Sequence, residues 1–214
     1  MKRNMFTLLF AVGFVTMASS QAYEGTIQYD KKKQRAVMID YGFTAEAVEN
    51  AFVQKMARLG YKPKEEKGIL NKDKGFLVFK NSYVTDISSE RMDYIVKVER
   101  KSRKEKDEAV LYVILSRDEK NLMDALSPED IGRAKSYLNN LLPDVEAASL
   151  ELEIKAQEEA IAKAEKKLRD LRDDQASLEK KLADNKTDQE NTQKDIENQR
   201  QSLGVLMGKR KPSF

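Results

Sequence analysis

Residues 147–206 read AASLELEIKAQEEAIAKAEKKLRDLRDDQASLEKKLADNKTDQENTQKDIENQRQSLGVL, and a heptad repeat can be written through them without a break. No Pro or Gly interrupts the repeat before Gly204. Such a repeat is typical of a coiled coil, in which the side chains at positions a and d of each heptad meet a partner helix. The a positions are Ala147, Ile154, Ile161, Leu168, Gln175, Leu182, Gln189, Ile196 and Leu203, and the d positions are Leu150, Gln157, Ala164, Leu171, Leu178, Asn185, Thr192, Gln199 and Leu206.

The charges beside this heptad core indicate how two copies would pair. In a parallel, in-register dimer, each g residue lies beside the following e residue of the partner helix. Four of these contacts join like charges and one joins opposite charges, and each exposed like-charge contact costs some tenths of a kcal/mol. The repulsive pairs are Glu153–Glu158, Lys167–Arg172, Asp174–Glu179 and Lys181–Lys186, and the attractive pair is Asp195–Arg200. A parallel, in-register homodimer is therefore disfavoured.

The poorest helix-forming part of the repeat is the segment DNKTD at residues 184–188. Asn and Asp accept turn conformations readily, so this segment favours a helical hairpin that places Leu178 against Ile196. One continuous helix is the alternative, because the proposed turn contains neither Gly nor Pro. Between the two, the sequence favours the hairpin.

The start of the chain is typical of an export signal. Lys2 and Arg3 precede an apolar stretch at residues 5–17, and residues 20–22 have the small-x-small pattern of a cleavage site. A membrane anchor is the alternative, but the apolar stretch is shorter than the roughly 20 residues that a membrane span needs. We therefore expect residues 1–22 to be removed, leaving a soluble periplasmic or secreted protein without a transmembrane segment.

The residue types that are missing limit the chemistry. The chain contains no Cys, His or Trp. Zinc sites with nitrogen or sulfur ligands, cysteine or serine–histidine nucleophiles and imidazole acid–base catalysis are excluded, and no disulfide can form. No segment has the spaced Asp, Asn and Gly residues of a calcium loop. We predict no catalytic residue, no metal site and no cofactor, and we interpret the chain as non-enzymatic.

Residues 23–143 predict a small antiparallel sheet packed by one or two helices, an α+β domain. Short consecutive strands favour antiparallel pairing, because a parallel pair needs a long crossover. The order of the strands does not follow from the sequence. The strand-like stretches are residues 25–29, 35–41, 76–79, 92–99 and 109–115.

Capping residues predict the helices of this domain and its end. Thr44 is expected to cap a helix that ends at Gly60, and Ser127 is expected to cap another helix. Pro143 should break that helix and separate the domain from the coil. The coiled-coil region then covers residues 144–206, and a basic, flexible tail covers residues 207–214.

Basic side chains cluster in predicted turns. Such clusters can bind phosphates or anionic lipid headgroups, although turns of this kind are more often simply solvated. Nucleic acid is not expected as a partner of an exported protein. The candidate anion contacts are Lys31, Lys32, Lys33, Arg100, Lys101, Arg103 and Lys104.

These features predict an exported, non-enzymatic structural or interaction protein, whose coiled coil mediates protein–protein contacts in the cell envelope or outside the cell. The apolar residues Leu150, Ile154 and Ile161 lie before the proposed hairpin. We expect them to pack on the α+β domain, on another subunit or on a protein partner. The alternatives are a periplasmic holdase-type chaperone and a protein that binds anionic envelope components through its basic turns.

Overall fold

The computed structural model describes residues 21–65, 75–102, 104 and 107–209. These residues form two compact units, which meet between Ile154 and Lys155. The first unit contains an antiparallel sheet and two short helices, and the second is helical. The predicted α+β class with a long C-terminal helix is therefore confirmed. Residues 1–20 of the predicted export signal and residues 210–214 of the predicted tail lie outside the described residues.

Five strands of the first unit overlap the predicted strand-like stretches, and two short strands, β3 and β7, were not predicted. Within the described residues they are β1 (Tyr23–Tyr29), β2 (Lys32–Tyr41), β3 (Lys64–Glu65), β4 (Leu77–Ser82), β5 (Met92–Arg100), β6 (Ala109–Arg117) and β7 (Lys120–Asn121). Across the sheet they follow the order β1-β2-β6-β5-β4-β3, and β7 pairs with β6. All of these neighbours are antiparallel, which confirms the predicted antiparallel sheet.

The first hairpin closes with a tight turn at Asp30 and Lys31. Their φ angles are 48° and 59°, and Tyr29 pairs with Lys32 across the turn. Positive φ at both central residues is the requirement of a type I′ turn, whose twist matches that of the flanking strands. The turn is shorter than the interval between the predicted strand-like stretches 25–29 and 35–41, and Lys32 and Lys33 belong to β2.

Two helices of the first unit begin at the predicted caps. They are α1 (Ala45–Arg58) and α2 (Pro128–Asn139). The Thr44 and Ser127 hydroxyls each accept a hydrogen bond from the backbone amide three residues later, at 3.3 and 3.1 Å. These bonds satisfy amides that have no partner within the helix, which fixes where each helix starts.

The third helix, α3 (Leu142–Gly208), is 67 residues long. Pro143 lies in its first turn, where a missing N–H removes no helical hydrogen bond, so the chain breaks just before α3 rather than within it. Val145 and Ala148 are buried in the core of the α+β domain. The first turns of α3 therefore belong to the domain, and the compact unit extends beyond Pro143 to Ile154.

Buried side chains pack on both faces of the sheet. On the face that carries α1 and α2, the Phe52 ring lies 5.8 Å from Phe79 and 6.4 Å from Tyr137. On the other face, the Tyr29 ring of β1 lies 4.8 Å from Phe76, next to β4. Because β1 and β4 are not neighbours in the sheet, this contact shows that the sheet curls around its second face. The buried cluster there comprises Ala36, Met38, Phe76, Val78, Ile95, Val110 and Ile114.

The helical hairpin that the sequence favoured is wrong, because α3 continues without a break through residues 184–188. Side chains of this segment bond within the helix: the Thr187 hydroxyl donates to the Ala183 carbonyl at 3.2 Å, and Gln189 donates to Asn185 at 2.7 Å. Low helix propensity costs only some tenths of a kcal/mol per residue, which does not stop a helix that contains no Gly or Pro at this point. In the described part of the chain, no helix has the length and apolar character needed to cross a membrane.

Candidate interaction surface

The second unit exposes a row of large apolar side chains along α3, which we call the apolar stripe. Its members all occupy a or d positions of the heptad repeat, so they lie along one side of the helix. Each is between 40% and 64% exposed. The stripe comprises Ile161, Leu168, Leu171, Leu178, Leu182, Ile196 and Leu203. Single exposed leucines are ordinary on protein surfaces, but a periodic row of them is typical of a contact surface.

The contact residues predicted from the sequence are all exposed. Leu150 is 58% exposed, Ile154 43% and Ile161 49%. In the first unit, Val145 and Ala148 of α3 are buried in the core. The side of α3 that carries Leu150 and Ile154 is exposed to solvent. The expectation that Leu150 and Ile154 pack on the α+β domain is therefore wrong. Contact with another subunit or with a protein partner stays a prediction.

Polar residues interrupt the row of apolar a and d positions on α3 at intervals. Gln175 and Asn185 occupy core positions of the repeat. Their side chains bond along the helix, Gln175 to Glu179 at 2.8 Å and Asn185 to Gln189 at 2.7 Å. Polar residues at core positions reduce the stability of a coiled coil and restrict its register. The stripe is therefore suited to a weak, register-specific contact.

A cavity of about 520 Å³ lies on the second face of the curled sheet. Its apolar floor is formed by Val78, Ile95 and Ile114. Polar groups on its rim bond to the protein itself, since Asn121 donates to Gln34 at 3.1 Å and Asp93 accepts from the Asn81 amide at 2.7 Å. The rest of the lining is Tyr29, Asp30, Lys80, Ser116 and Glu119. Within the described residues, no group of three or more Asp and Glu side chains is arranged to hold a metal ion.

The structure does not bring the two basic groups together. Lys31 to Lys33 lie at the β1–β2 turn, whereas the second group lies at the β5–β6 connection. These are opposite ends of β2, because Tyr41 at the far end of β2 pairs with Ala109 of β6. Lys101 forms an ion pair with Glu108 at 2.8 Å. The second group comprises Arg100, Lys101 and Lys104, and Arg103 lies outside the described residues.

The side chains of Tyr41 and Tyr94 are buried in the α+β domain. The Tyr41 hydroxyl donates a hydrogen bond to the Leu138 carbonyl, whereas the buried Tyr94 hydroxyl has no hydrogen-bond partner among the described residues. Burial raises the pKa of both hydroxyls well above the ordinary value, since the charged form is poorly solvated. Both side chains therefore stay neutral near pH 7.

An ion-pair network on the surface of the domain was not apparent from the sequence. The Glu24 carboxylate accepts hydrogen bonds from Lys135 at 2.8 Å and from Arg35 at 2.7 Å, and Arg35 also contacts Asp124. The hydrogen bond from Lys135 is the largest cause of a lowered pKa at Glu24. The network joins β1, β2 and α2, which the sequence does not place next to each other.

Compared with known proteins, the chain matches no family model, no curated protein and no solved structure. The chemistry of its own surfaces is therefore the basis for assigning a function. In the cavity, Asn121 and Asp93 already bond to the protein itself, and the two basic groups lie at opposite ends of β2. Within the described residues, the apolar stripe is a periodic row of large apolar side chains that are 40–64% exposed.

Proposed function

We propose that this protein is a non-enzymatic interaction module, in which the α+β domain carries α3 and the apolar stripe binds another helix. The exposure of the stripe is the single observation that carries this proposal. Full burial of a Leu or Ile side chain contributes roughly 1.5–3 kcal/mol to the free energy of binding. Partial burial of several such side chains can therefore offset the entropy that two molecules lose when they form a weak complex.

The spacing of the stripe defines the chemistry of the partner. Residues at a and d positions fit between side chains of a second helix with the same repeat. The partner should therefore be an amphipathic helix. The basic and apolar start of the chain supports export, so the contact would form in the cell envelope or outside the cell.

A holdase-type chaperone is the second candidate function, because exposed apolar side chains on a long helix also suit an unfolded client. The regular polar positions Gln175 and Asn185 favour a partner in fixed register over a client of varied sequence. Binding of anionic envelope components is less favoured, because the two basic groups lie at opposite ends of β2.

A photo-cross-linking amino acid tests the proposal in cells that produce the full chain. It is placed at Leu178 in the stripe, with Lys180 on the opposite side of α3 as the matched control. We expect discrete cross-linked products from position 178 and few from position 180. A broad smear of products from position 178 would favour the holdase. Equal yields at the two positions, or none at either, would refute the proposal.

A further inference from the structure

We propose that the partner of the apolar stripe is a second copy of this chain, bound antiparallel. The two-fold axis passes between Ala176 and Ser177, so Leu171 of one copy lies opposite Leu182 of the other. This inference rests on the proposed function, since it names the helix that covers the stripe. The contacts that favour this pairing are made by residues of the second unit.

The charged residues that flank the stripe favour this pairing. In an antiparallel coiled coil, e residues lie beside e residues of the other helix, and g residues lie beside g residues. With the axis between Ala176 and Ser177, every contact between two charged residues joins opposite charges, and the two-fold axis repeats each contact. The pairs are Glu165–Lys186, Arg172–Glu179, Lys167–Asp188 and Asp174–Lys181. The remaining flanking contacts, Glu158–Gln193 and Ala160–Asp195, bring no like charges together.

A slide of one heptad in either direction loses this complementarity. When one copy slides by one heptad in either direction, several of the same residues meet like charges. Each such contact is unfavourable by an amount similar to what an attractive contact contributes. In one direction the repulsive contacts include Lys167–Lys181 and Glu165–Glu179, and in the other they include Asp174–Asp188 and Arg172–Lys186. The parallel, in-register pairing is also repulsive, so the charges favour the proposed pairing over these three alternatives.

The symmetry of the pattern indicates a second copy rather than a different protein. In a two-fold contact the same surface meets itself, so each charge must face its opposite across one point of the same sequence. A different partner would place no such condition on this chain. The positive and negative residues between 165 and 188 satisfy it at every charged pair.

The a and d residues that meet in this register predict a reversible dimer. Leu171 meets Leu182 in a fully apolar layer, which the symmetry repeats. Other layers set an apolar side chain against a polar one, as in Leu168 against Asn185 and Ile161 against Thr192. Such layers reduce the affinity of the dimer. The overlap within the second unit extends for about 65 Å.

Disulfide mapping tests the pairing directly, because the natural chain contains no cysteine. Full-length L171C and L182C variants, one of which has a size tag, are oxidised separately and as a mixture. In the proposed dimer, position 171 lies opposite 182 and about 16 Å along the axis from its own copy, which is too far for a disulfide. We expect fast formation of the mixed dimer and slow formation of either homodimer. Faster linking of L171C to itself would indicate a parallel dimer, and no linking in any sample would exclude the contact; both outcomes overturn the inference.

Charge reversal provides a second test in the full-length protein. E165K and K186E each turn two attractive contacts into repulsive ones, and the double variant restores both pairs. We expect about a five- to tenfold weaker dimer for each single variant in sedimentation velocity, and recovery in the double variant. E159K makes the same charge change on the outer side of the helix and should leave the dimer unchanged. Failure of the double variant to recover would overturn this register.

The photo-cross-linking experiment at Leu178 separates this inference from the proposed function. A product with the mass of two copies supports both. A discrete product with a different protein, and none with a second copy, would overturn the dimer and leave the interaction module in place. The absence of any product would overturn both.

Discussion

Spin labels provide a direct test of the continuous helix α3. Leu171 and Leu203 are 55% and 56% exposed, so Cys substitutions at both positions can be labelled without disturbing a core. A helical rise of 1.5 Å per residue places these positions about 48 Å apart. A hairpin with its turn near Thr187 would bring them to about 10 Å, the distance between packed helices.

The distance is measured by double electron–electron resonance, in the presence of excess unlabelled protein so that contacts between copies do not contribute. A second pair, at Leu171 and Asn185, serves as the control, because it gives about 21 Å with or without a turn near Thr187. We expect the first pair to show one population near 48 Å. Strong dipolar broadening from a short distance in the first pair, with the control unchanged, would show that the helix folds back.

Three further predictions concern the stability of the α+β domain. Phe52→Ala should lower the free energy of unfolding by about 3–5 kcal/mol in urea titration, because the ring is 1% exposed and packs between the sheet and α2; a loss below about 1 kcal/mol would contradict this packing. Tyr41→Phe should cost about 1 kcal/mol through its lost hydrogen bond, whereas Tyr94→Phe should cost nothing or stabilise slightly, since its hydroxyl has no partner within the described residues. Equal losses in the two variants would argue against these environments. The ion pair of Glu24 with Lys135 lowers the carboxyl pKa below its ordinary value of 4.5, so its contribution is complete above that pH and is lost as the pH falls through the folded-state pKa. Between pH 6 and pH 3, the free energy of unfolding of Glu24→Gln should fall less than that of the natural protein. The difference should be below about 1 kcal/mol, because the pair is exposed. An unchanged pH profile would show that the pair contributes nothing.

Local signals in the sequence predicted the elements of the domain well. The Thr44 and Ser127 caps, the apolar run at residues 76–79 and the break before the coil depend on near neighbours in the chain. The heptad repeat also predicted which residues of α3 form the stripe. The repeat could not show whether the stripe is covered, because exposure depends on the rest of the molecule.

The features that the sequence did not predict depend on distant contacts or on small energy differences. The second buried face requires Tyr29 of β1 to reach Phe76 beside β4, and no local pattern indicates that curl. The burial of Val145 and Ala148 likewise depends on where α3 meets the sheet. The predicted hairpin is wrong because the low helix propensity of residues 184–188 costs little and this segment contains neither Gly nor Pro.

The order of the strands has a consequence for how the chain folds. Every described pair of neighbouring strands also follows consecutively along the chain, except β2 and β6. Consecutive pairs form by closing short loops, which is fast, whereas joining β2 to β6 closes a loop that contains α1 and three strands. We therefore expect the pairing of β2 with β6 to limit the folding rate. Substitutions that weaken the pairing of β2 with β6 should slow folding more than substitutions at either end of the sheet that cost the same free energy of unfolding.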